Sequence, residues 1–319
     1  MEKFLIRLLL FCLLPLPLLF FLDHVVEKGL HRSRYLYYAD WSDLYSGAIN
    51  ADVLVLGTSR AYLHVSPKIL DSVLLLNSYN LGMDGASFDL QYDILKQYLR
   101  YNRKPKYILQ EVGYPTFVRS DSVQYFHEFL SYINDTAVLN IVRHHYSPIT
   151  IADLYFPLFK YNNELPLVKE GLRSYTGHGT ANVKYKGYEA RDYAWDSSFY
   201  LFKKSHPHGM VMPVDSGVIH LFSGYLDYCA ANGIKVILFY APTYYESLQY
   251  ILNFKEIHQM IASCAVMHSV PFLDYTADSI DYDKTLFYNT QHLNKKGSEI
   301  FSVQLATDVK KVIGNAAQH

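Results

Sequence analysis

Val53-Leu54-Val55-Leu56-Gly57-Thr58-Ser59-Arg60-Ala61 is a β-branched apolar run that stops at Gly57 and passes at once into a helical pattern. A stretch apolar at every position reads as a strand buried on both faces, the signature of a parallel sheet. Open α/β sheets place their ligands beyond the carboxyl ends of such strands. The run therefore delivers Ser59 to the edge where ligands sit. Near the other end of the chain, Asn289-Thr290-Gln291-His292-Leu293-Asn294-Lys295-Lys296-Gly297 carries a histidine just ahead of the last helical pattern. Ser59 and His292 are expected to meet across the top of one sheet.

Working outward, Ser66 is a helix N-cap with Pro67 at the first helical position. Residues 73–79 read as a second buried strand. It ends in Asn80-Leu81-Gly82-Met83-Asp84-Gly85, whose two glycines imply a tight turn and close backbone approach. From Phe88 to Leu99 apolar residues recur at helical spacing, and 106–112, entered after Pro105, is a third strand. Strand–helix–strand–helix–strand predicts right-handed parallel crossovers. Between 113 and 214 the pattern breaks. Helical pieces are expected at 123–143 and 149–161, and 171–192 is expected to be an ordered loop or a mobile flap. Regularity returns with a helix at 218–231 stopped by Asn232-Gly233, a strand at 235–240, a helix at 250–268, a strand at 270–274 and a last helix at 295–313. These elements predict an α/β domain with a five-stranded, mostly parallel sheet, built from 51–112 and 215–319 around a helical, tyrosine-rich insertion at 113–214.

The chain has 319 residues, half of them hydrophobic, with a formal net charge of −1. Such a balance offers no nucleic-acid surface and no polybasic tail. Tyrosine is abundant, 30 residues against 18 Phe and 2 Trp, and an apolar ring with a hydroxyl suits polar, sugar-like ligands. Three cysteines are too few for a disulfide framework. Cys12 lies in the N-terminal apolar run. Cys229 and Cys264 read as buried thiols, with a bridge between them left open.

Residues 4–22 are almost wholly apolar, led by Lys3 and Arg7 and followed by Asp23, His24 and Glu27. That length just spans a bilayer core, and the leading positive charges keep the N-terminus cytoplasmic. No small-x-small cleavage site follows Leu22, which favours an uncleaved signal anchor at 1–23, a stalk at 24–50 and an exported remainder, a single-pass membrane protein.

A serine hydroxyl needs a base to take its proton, and histidine is the usual one. Backbone N–H groups must then meet the oxyanion. Ser59 is the candidate nucleophile and His292 the candidate base, with the N–H groups of Ser59 and Gly82 as oxyanion donors. Metal and cofactor sites find no support. His144, His145, His206 and His208 lack a ligand frame, and no phosphate-binding glycine loop is present.

Gly57-Thr-Ser-Arg60, Asn80-Leu-Gly-Met-Asp-Gly85 and His292-Leu-Asn-x-x-Gly297 resemble the nucleophile, oxyanion-glycine and histidine blocks of the SGNH/GDSL hydrolase superfamily. The resemblance covers about residues 51–112 and 215–313. It implies a flavodoxin-like three-layer sandwich. With the N-terminal anchor, it is similar to exported SGNH-like proteins of the DltD and alginate O-acetylation (AlgJ/AlgX) kind. It implies a serine esterase or O-acyltransferase acting on acyl groups of cell-surface glycans, partnered by a membrane-bound O-acyltransferase. Two positions depart from the family. Asn289 stands where the histidine block usually has aspartate. Asn289 can accept the imidazole N–H without bringing charge, and Asp281 or Asp283 could swing in instead. The asparagine that many members place after the third strand is missing from Gln110-Glu-Val-Gly-Tyr-Pro115, leaving Tyr114 as a side chain that could serve. Glu111 could assist the site or pair with Arg60. These departures leave open an inactive glycan-binding or assembly subunit.

Overall fold

β1 (Val53–Leu56) is buried along its whole length and pairs in parallel on both edges, with β2 (Ser78–Asn80) and β3 (Tyr107–Val112). β3 pairs with β4 (Lys235–Tyr240) and β4 with β5 (Phe272–Asp274), again in parallel. The order β2-β1-β3-β4-β5 is the flavodoxin-like doubly wound order, with its ligand crevice at the β1/β3 switch point. This computed structural model describes residues 1–119, 126–145, 149–162 and 164–316. The first three residues of the helix expected at 123–143 lie outside the described residues.

Side chains alternate across the sheet. Val53, Val55, Leu109, Ile237 and Phe239 share a core with Leu70, Phe301, Leu305 and Val309, which come from the helices Pro67–Leu74 and Lys295–Ala316. On the other face Gln110 bonds Gln91 of the Phe88–Tyr101 helix at 2.8 Å and Tyr225 of the Ser216–Ala231 helix at 2.9 Å. A buried amide so satisfied fixes the register of both helices on the sheet.

β2 and β5 are shorter than the sequence suggested, β5 beginning at Phe272 rather than Val270. The second strand, expected at 73–79, is Ser78–Asn80 and overlaps that range only at Ser78 and Tyr79, because the helix begun at Pro67 runs on to Leu74. Val73 and Leu74 at the helix end, with Leu76 just beyond it, pack against the core that includes Phe301, Leu305 and Val309, while Leu75 turns out to solvent. A short apolar run does not by itself separate the two states. Cys229 and Cys264 are buried free thiols.

Two compact units cut across the expected segmentation. Met1–Asp43 with Tyr125–Asn182 forms one, and Leu44–Gln124 with Val183–His319 forms the other and holds the sheet. The residues expected as a stalk are therefore packed as far as Asp43. Val26 and Leu30 of the Leu16–Leu30 helix are fully buried, and that helix runs against Leu165–Tyr175. His31 stacks on Tyr132 at 4.2 Å, and Trp41 meets Phe129 at 4.7 Å. Apolar side chains at 25–41 need cover from water, and part of the expected insertion provides it.

The apolar run 4–22 is carried by two helices, Glu2–Leu13 and Leu16–Leu30. They break at Leu14-Pro15, where proline lacks an N–H and clashes with the preceding turn. No helix among the described residues is long and apolar enough to cross a membrane. Phe4, Phe11, Leu14, Leu18 and Phe21 are all exposed.

Candidate active site

At the end of β1, Gly57 has φ +149°, and a Cβ there would lie 2.5 Å from Glu111 Cβ. Only glycine lets β1 turn so tightly against β3. Thr58 then caps the Ser59–His64 helix, its Oγ1 accepting the Arg60 N–H at 3.4 Å. The Thr58 N–H and hydroxyl donate to Glu111 Oε2 at 3.0 and 2.8 Å. Arg60 Nη2 meets Glu111 Oε1 at 2.7 Å, with both side chains almost wholly buried. Glu111, at the end of β3, thus grips the residues on either side of Ser59. Of its two expected roles, the ion pair with Arg60 is the one formed.

The guanidinium also lies 5.2 Å from the Tyr240 ring centroid and 5.7 Å from that of Tyr114. Burial alone would loosen Arg60's proton. The Glu111 carboxylate together with Tyr240 and Tyr114 outweighs it, and the pKa is raised. At Gly113 a Cβ would sit 1.7 Å from Arg60 Nη2. Arg60 therefore fills the space that a side chain just after β3 would take, where the resemblance led to an expected asparagine. Tyr114 walls this cation and donates its backbone N–H to Tyr240 Oη at 3.2 Å.

Ser59 Oγ lies 2.7 Å from His292 Nε2, and His292 Nδ1 lies 3.0 Å from Asn289 Oδ1. The Asn289 oxygen also accepts the backbone N–H groups of Gln291 and His292, each at 3.0 Å, which orients the amide. An amide oxygen only accepts, so Nδ1 carries the imidazole proton and Nε2 keeps its lone pair toward the serine. Tyr288 stacks on the imidazole at 5.3 Å and 10°. Burial first, then the charges of Arg60 and Arg191, push the His292 pKa down to about 3 against the pull of Asp196.

Three of the expected supporting assignments are corrected. Gly82 N–H donates to Asn80 Oδ1 at 2.9 Å and is not a free oxyanion donor. A Cβ on Gly82 would lie 2.6 Å from Tyr62 N, so its glycine serves close packing on the Ser59–His64 helix. Asp283 is exposed and caps a short turn through Thr285 N and Oγ1 at 2.9 and 2.6 Å. Asp281 is buried, accepts Thr243 N–H at 2.9 Å, and is pushed up to about 8 by burial. Neither carboxylate replaces Asn289. The Ser59 N–H, in the first helical turn, has no partner among the described residues and remains available.

Several functional neighbours escaped the sequence reading. Asn80 Nδ2 donates to Ala61 O at 2.7 Å and Val65 O at 2.9 Å, closing the Ser59–His64 helix. His64, fully buried on that helix, accepts the Leu293 N–H at Nε2 at 3.0 Å and sets its ring edge-on to His292 at 6.2 Å. Burial holds the His64 pKa well below the usual imidazole range, so it stays a neutral acceptor. The only sequence signal for either was polar residues in otherwise apolar surroundings. His64→Ala leaves a buried N–H beside His292 without its acceptor, at a cost of about 1–3 kcal/mol. A urea melt with the midpoint unchanged would contradict this role.

A polar wall completes the site. Tyr62 Oη donates to Glu189, Arg191 Nε bonds Glu189 Oε1 at 3.0 Å, and Arg191 Nη1 reaches Tyr288 Oη at 3.4 Å. The wall is fixed by Asn80 N to Lys186 O at 2.9 Å, Lys295 N to Arg191 O at 2.8 Å and Asp196 N to Tyr288 O at 2.8 Å. Of the stretch expected as a loop or flap, Gly171–Tyr175 is the end of the Leu165–Tyr175 helix, and these bonds hold the backbone between 186 and 196. Beside the His292 loop lies a cavity of about 180 Å³ lined by Tyr114, Thr290 and Gln291 with Met210, Met212 and Ile251. A larger cleft of about 660 Å³ sits at the opposite, amino ends of β3 to β5, by Tyr107, Lys235 and Pro271, away from Ser59.

Among solved structures, the chain is similar to a protein from Desulfitobacterium hafniense assigned to the G-D-S-L lipolytic family (12% identity, 80% of this chain and 97% of that chain covered, TM-score 0.41). It is also similar to a protein from Bacteroides fragilis assigned as an acylhydrolase (10% identity, 81% and 87% covered, TM-score 0.38). A third is a GDSL-like lipase from Bacteroides thetaiotaomicron (11% identity, 83% and 88% covered, TM-score 0.38). No family model and no curated protein matches the sequence.

Proposed function

We propose that this chain is a serine esterase or O-acyltransferase that carries an acyl group on Ser59. The observation behind the reading is the unbroken relay from Asn289 Oδ1 through His292 to Ser59 Oγ, at 3.0 and 2.7 Å. Ser59 Oγ attacks the acyl carbonyl and its proton passes to His292 Nε2. The developing oxyanion takes the Ser59 N–H, and the carbonyl–leaving-oxygen bond breaks as His292 returns the proton to that oxygen. Water or a sugar hydroxyl then attacks the acyl-serine, again giving its proton to His292, which hands it to Ser59 as the acyl group departs.

The small, largely apolar cavity beside the histidine loop supports a short, acetyl-like acyl group. Tyr193, largely exposed and edge-on to Tyr288 at 5.7 Å, supports a glycan as alcohol or acceptor. The apolar run at 4–22 behind Lys3 and Arg7 supports a membrane anchor and an extracytoplasmic site. The resemblance supports a surface polymer as substrate and a membrane-bound O-acyltransferase as donor.

A second reading, a glycan-binding subunit without turnover, draws on two observations. Asn289 brings no charge to an imidazole whose pKa is already down at about 3, and Gly82 N–H is occupied. Serine-directed fluorophosphonate labelling separates the two. Labelling that requires His292 supports the first reading; no labelling beside tight glycan binding supports the second.

The depressed pKa also sets the pH response. The base works unprotonated, so kcat/KM should stay level from pH 7 to about 5 and fall only toward the folded-state value. Stability falls in the same direction but starts at higher pH. The unfolded chain takes up a proton on His292 below pH 6.5 while the folded one does not, so stability declines from there toward the folded pKa of about 3. Asn289→Asp adds the missing charge, raises the imidazole pKa and moves the acid limb to higher pH. It should raise kcat/KM at pH 7 by about 10-fold or more, the direction in which a triad carboxylate acts. A pH–rate profile for ester hydrolysis checks both, and an unmoved acid limb in the variant counts against His292 as the base.

A further inference from the structure

The unit that carries the N-terminus exposes a second cluster of large apolar side chains. Ile151 is 76% exposed, Tyr155 70%, Phe156 60% and Phe159 44%. Single exposed apolar residues are ordinary, but four within nine residues form a patch of the kind that marks an interaction surface. We propose that this ridge is a membrane contact, seated in the headgroup–acyl boundary beside the apolar N-terminal segment. The inference rests on reading residues 4–22 as an anchor.

Its position carries the argument. The Leu158 N–H donates to Asp23 Oδ1 at 2.9 Å. Lys160, with a side chain only 5% exposed, pairs with Glu27 and lies 3.9 Å from Asp23. Asp23 is the first charged residue after the apolar run. These bonds therefore hold the ridge at the level where the anchor leaves hydrocarbon, just beyond the exposed Leu18, Phe20 and Phe21. Leu158 adopts φ +64°, a left-handed conformation that leucine takes only under constraint. The constraint is the bond to Asp23, and the turn it fixes leaves Phe156 and Phe159 outward.

The chemistry of the patch fits lipid better than a protein partner. It is tied through the Leu158–Asp23 bond to the end of the apolar segment read as the anchor. Tyr155 is of the type that settles at the membrane–water boundary, and Phe156 and Phe159 are of the type that bury into the headgroup–acyl layer. The one acid between 149 and 162, Asp153, is turned back on Thr150 in a closed capping box. Lys160 is neutralised by its acidic partners, so no free charge opposes burial of the ridge.

The test uses the full chain with Cys12→Ala, labelled with bimane at Phe156→Cys or Phe159→Cys, with Lys169→Cys on an exposed helix face as reference. Cys229 and Cys264 are buried and react poorly. The proteins are reconstituted into phosphatidylcholine–phosphatidylglycerol vesicles containing acyl-brominated lipid. Flotation with the vesicles, and bromine quenching at 156 and 159 at least twofold above that at 169, is the expected result. Flotation without excess quenching overturns the ridge contact and leaves the anchor standing. Failure to float overturns the anchor and the ridge with it. Bimane shielded from water yet unquenched by lipid, as when a second copy covers the ridge, also overturns the proposal.

Discussion

Ser59→Ala should abolish fluorophosphonate labelling and lower kcat/KM for an activated ester by about 10⁴-fold or more, as removal of a nucleophile does in serine hydrolases. The size follows from the site. Ser59 Oγ is the hydroxyl that His292 Nε2 faces, at 2.7 Å. The neighbouring hydroxyl, Thr58 Oγ1, is committed to Glu111 and cannot take its place. The change itself removes one oxygen from a half-buried position and leaves the Glu111 grip on Thr58 and Arg60 intact. It does leave His292 Nε2 without its donor, so circular dichroism should match the parent while urea melts show a loss of up to about 1–3 kcal/mol. A variant that folds normally and turns over within tenfold of the parent would remove Ser59 from the mechanism.

Glu111→Ala should have the largest effect on stability. It takes the partner from Arg60, whose side chain is 3% exposed, and takes the acceptor from both Thr58 donors. A buried charge left without its partner costs about 3–5 kcal/mol. The loss also frees the turn that aims Ser59, so hydrolysis should fall together with stability. Glu111→Gln keeps acceptors for Thr58 but leaves the cation uncompensated, and should recover only part of the loss. The double variant Arg60→Met with Glu111→Leu removes both charges at similar volume. It should restore most of the stability, because well-packed apolar pairs often match buried ion pairs. Its activity should stay low because Thr58 remains without its acceptor. Urea denaturation separates these outcomes, and a single Glu111→Ala cost below about 1 kcal/mol would show that the pair does not hold the turn.

The legible parts of the chain were those with periodicity or punctuation. β1, β3 and β4 stood out because a strand covered on both faces is apolar at every position. Ser59 and His292 stood out because one follows such a strand and the other precedes a helix. Contacts that define the site's support were not legible. Glu111 lies 53 residues from Thr58, and His64 lies 229 from Leu293. No local pattern encodes which distant donor a buried side chain will meet. Gly82 illustrates the same limit: its position in the turn was readable, but the hydrogen bond occupying its N–H depended on where the Asn80 side chain pointed. The boundary between the units was hidden for a different reason. The apolar side chains at 25–41 demand burial, but nothing local states that 126–182 rather than the sheet supplies it.

By itself, then, the sequence determined a parallel sheet, the strand end that presents Ser59, and a histidine loop ahead of the last helix. Those follow from burial and backbone rules that act within a few residues. Tertiary structure decided which groups complete the site. It selected Asn289 over Asp281 and Asp283, paired Arg60 with Glu111, committed Gly82 N–H to Asn80, and set His64 against the histidine loop. Each of these is a choice among partners brought together from distant parts of the chain, and the balance between desolvation and hydrogen bonding in the folded interior settles it.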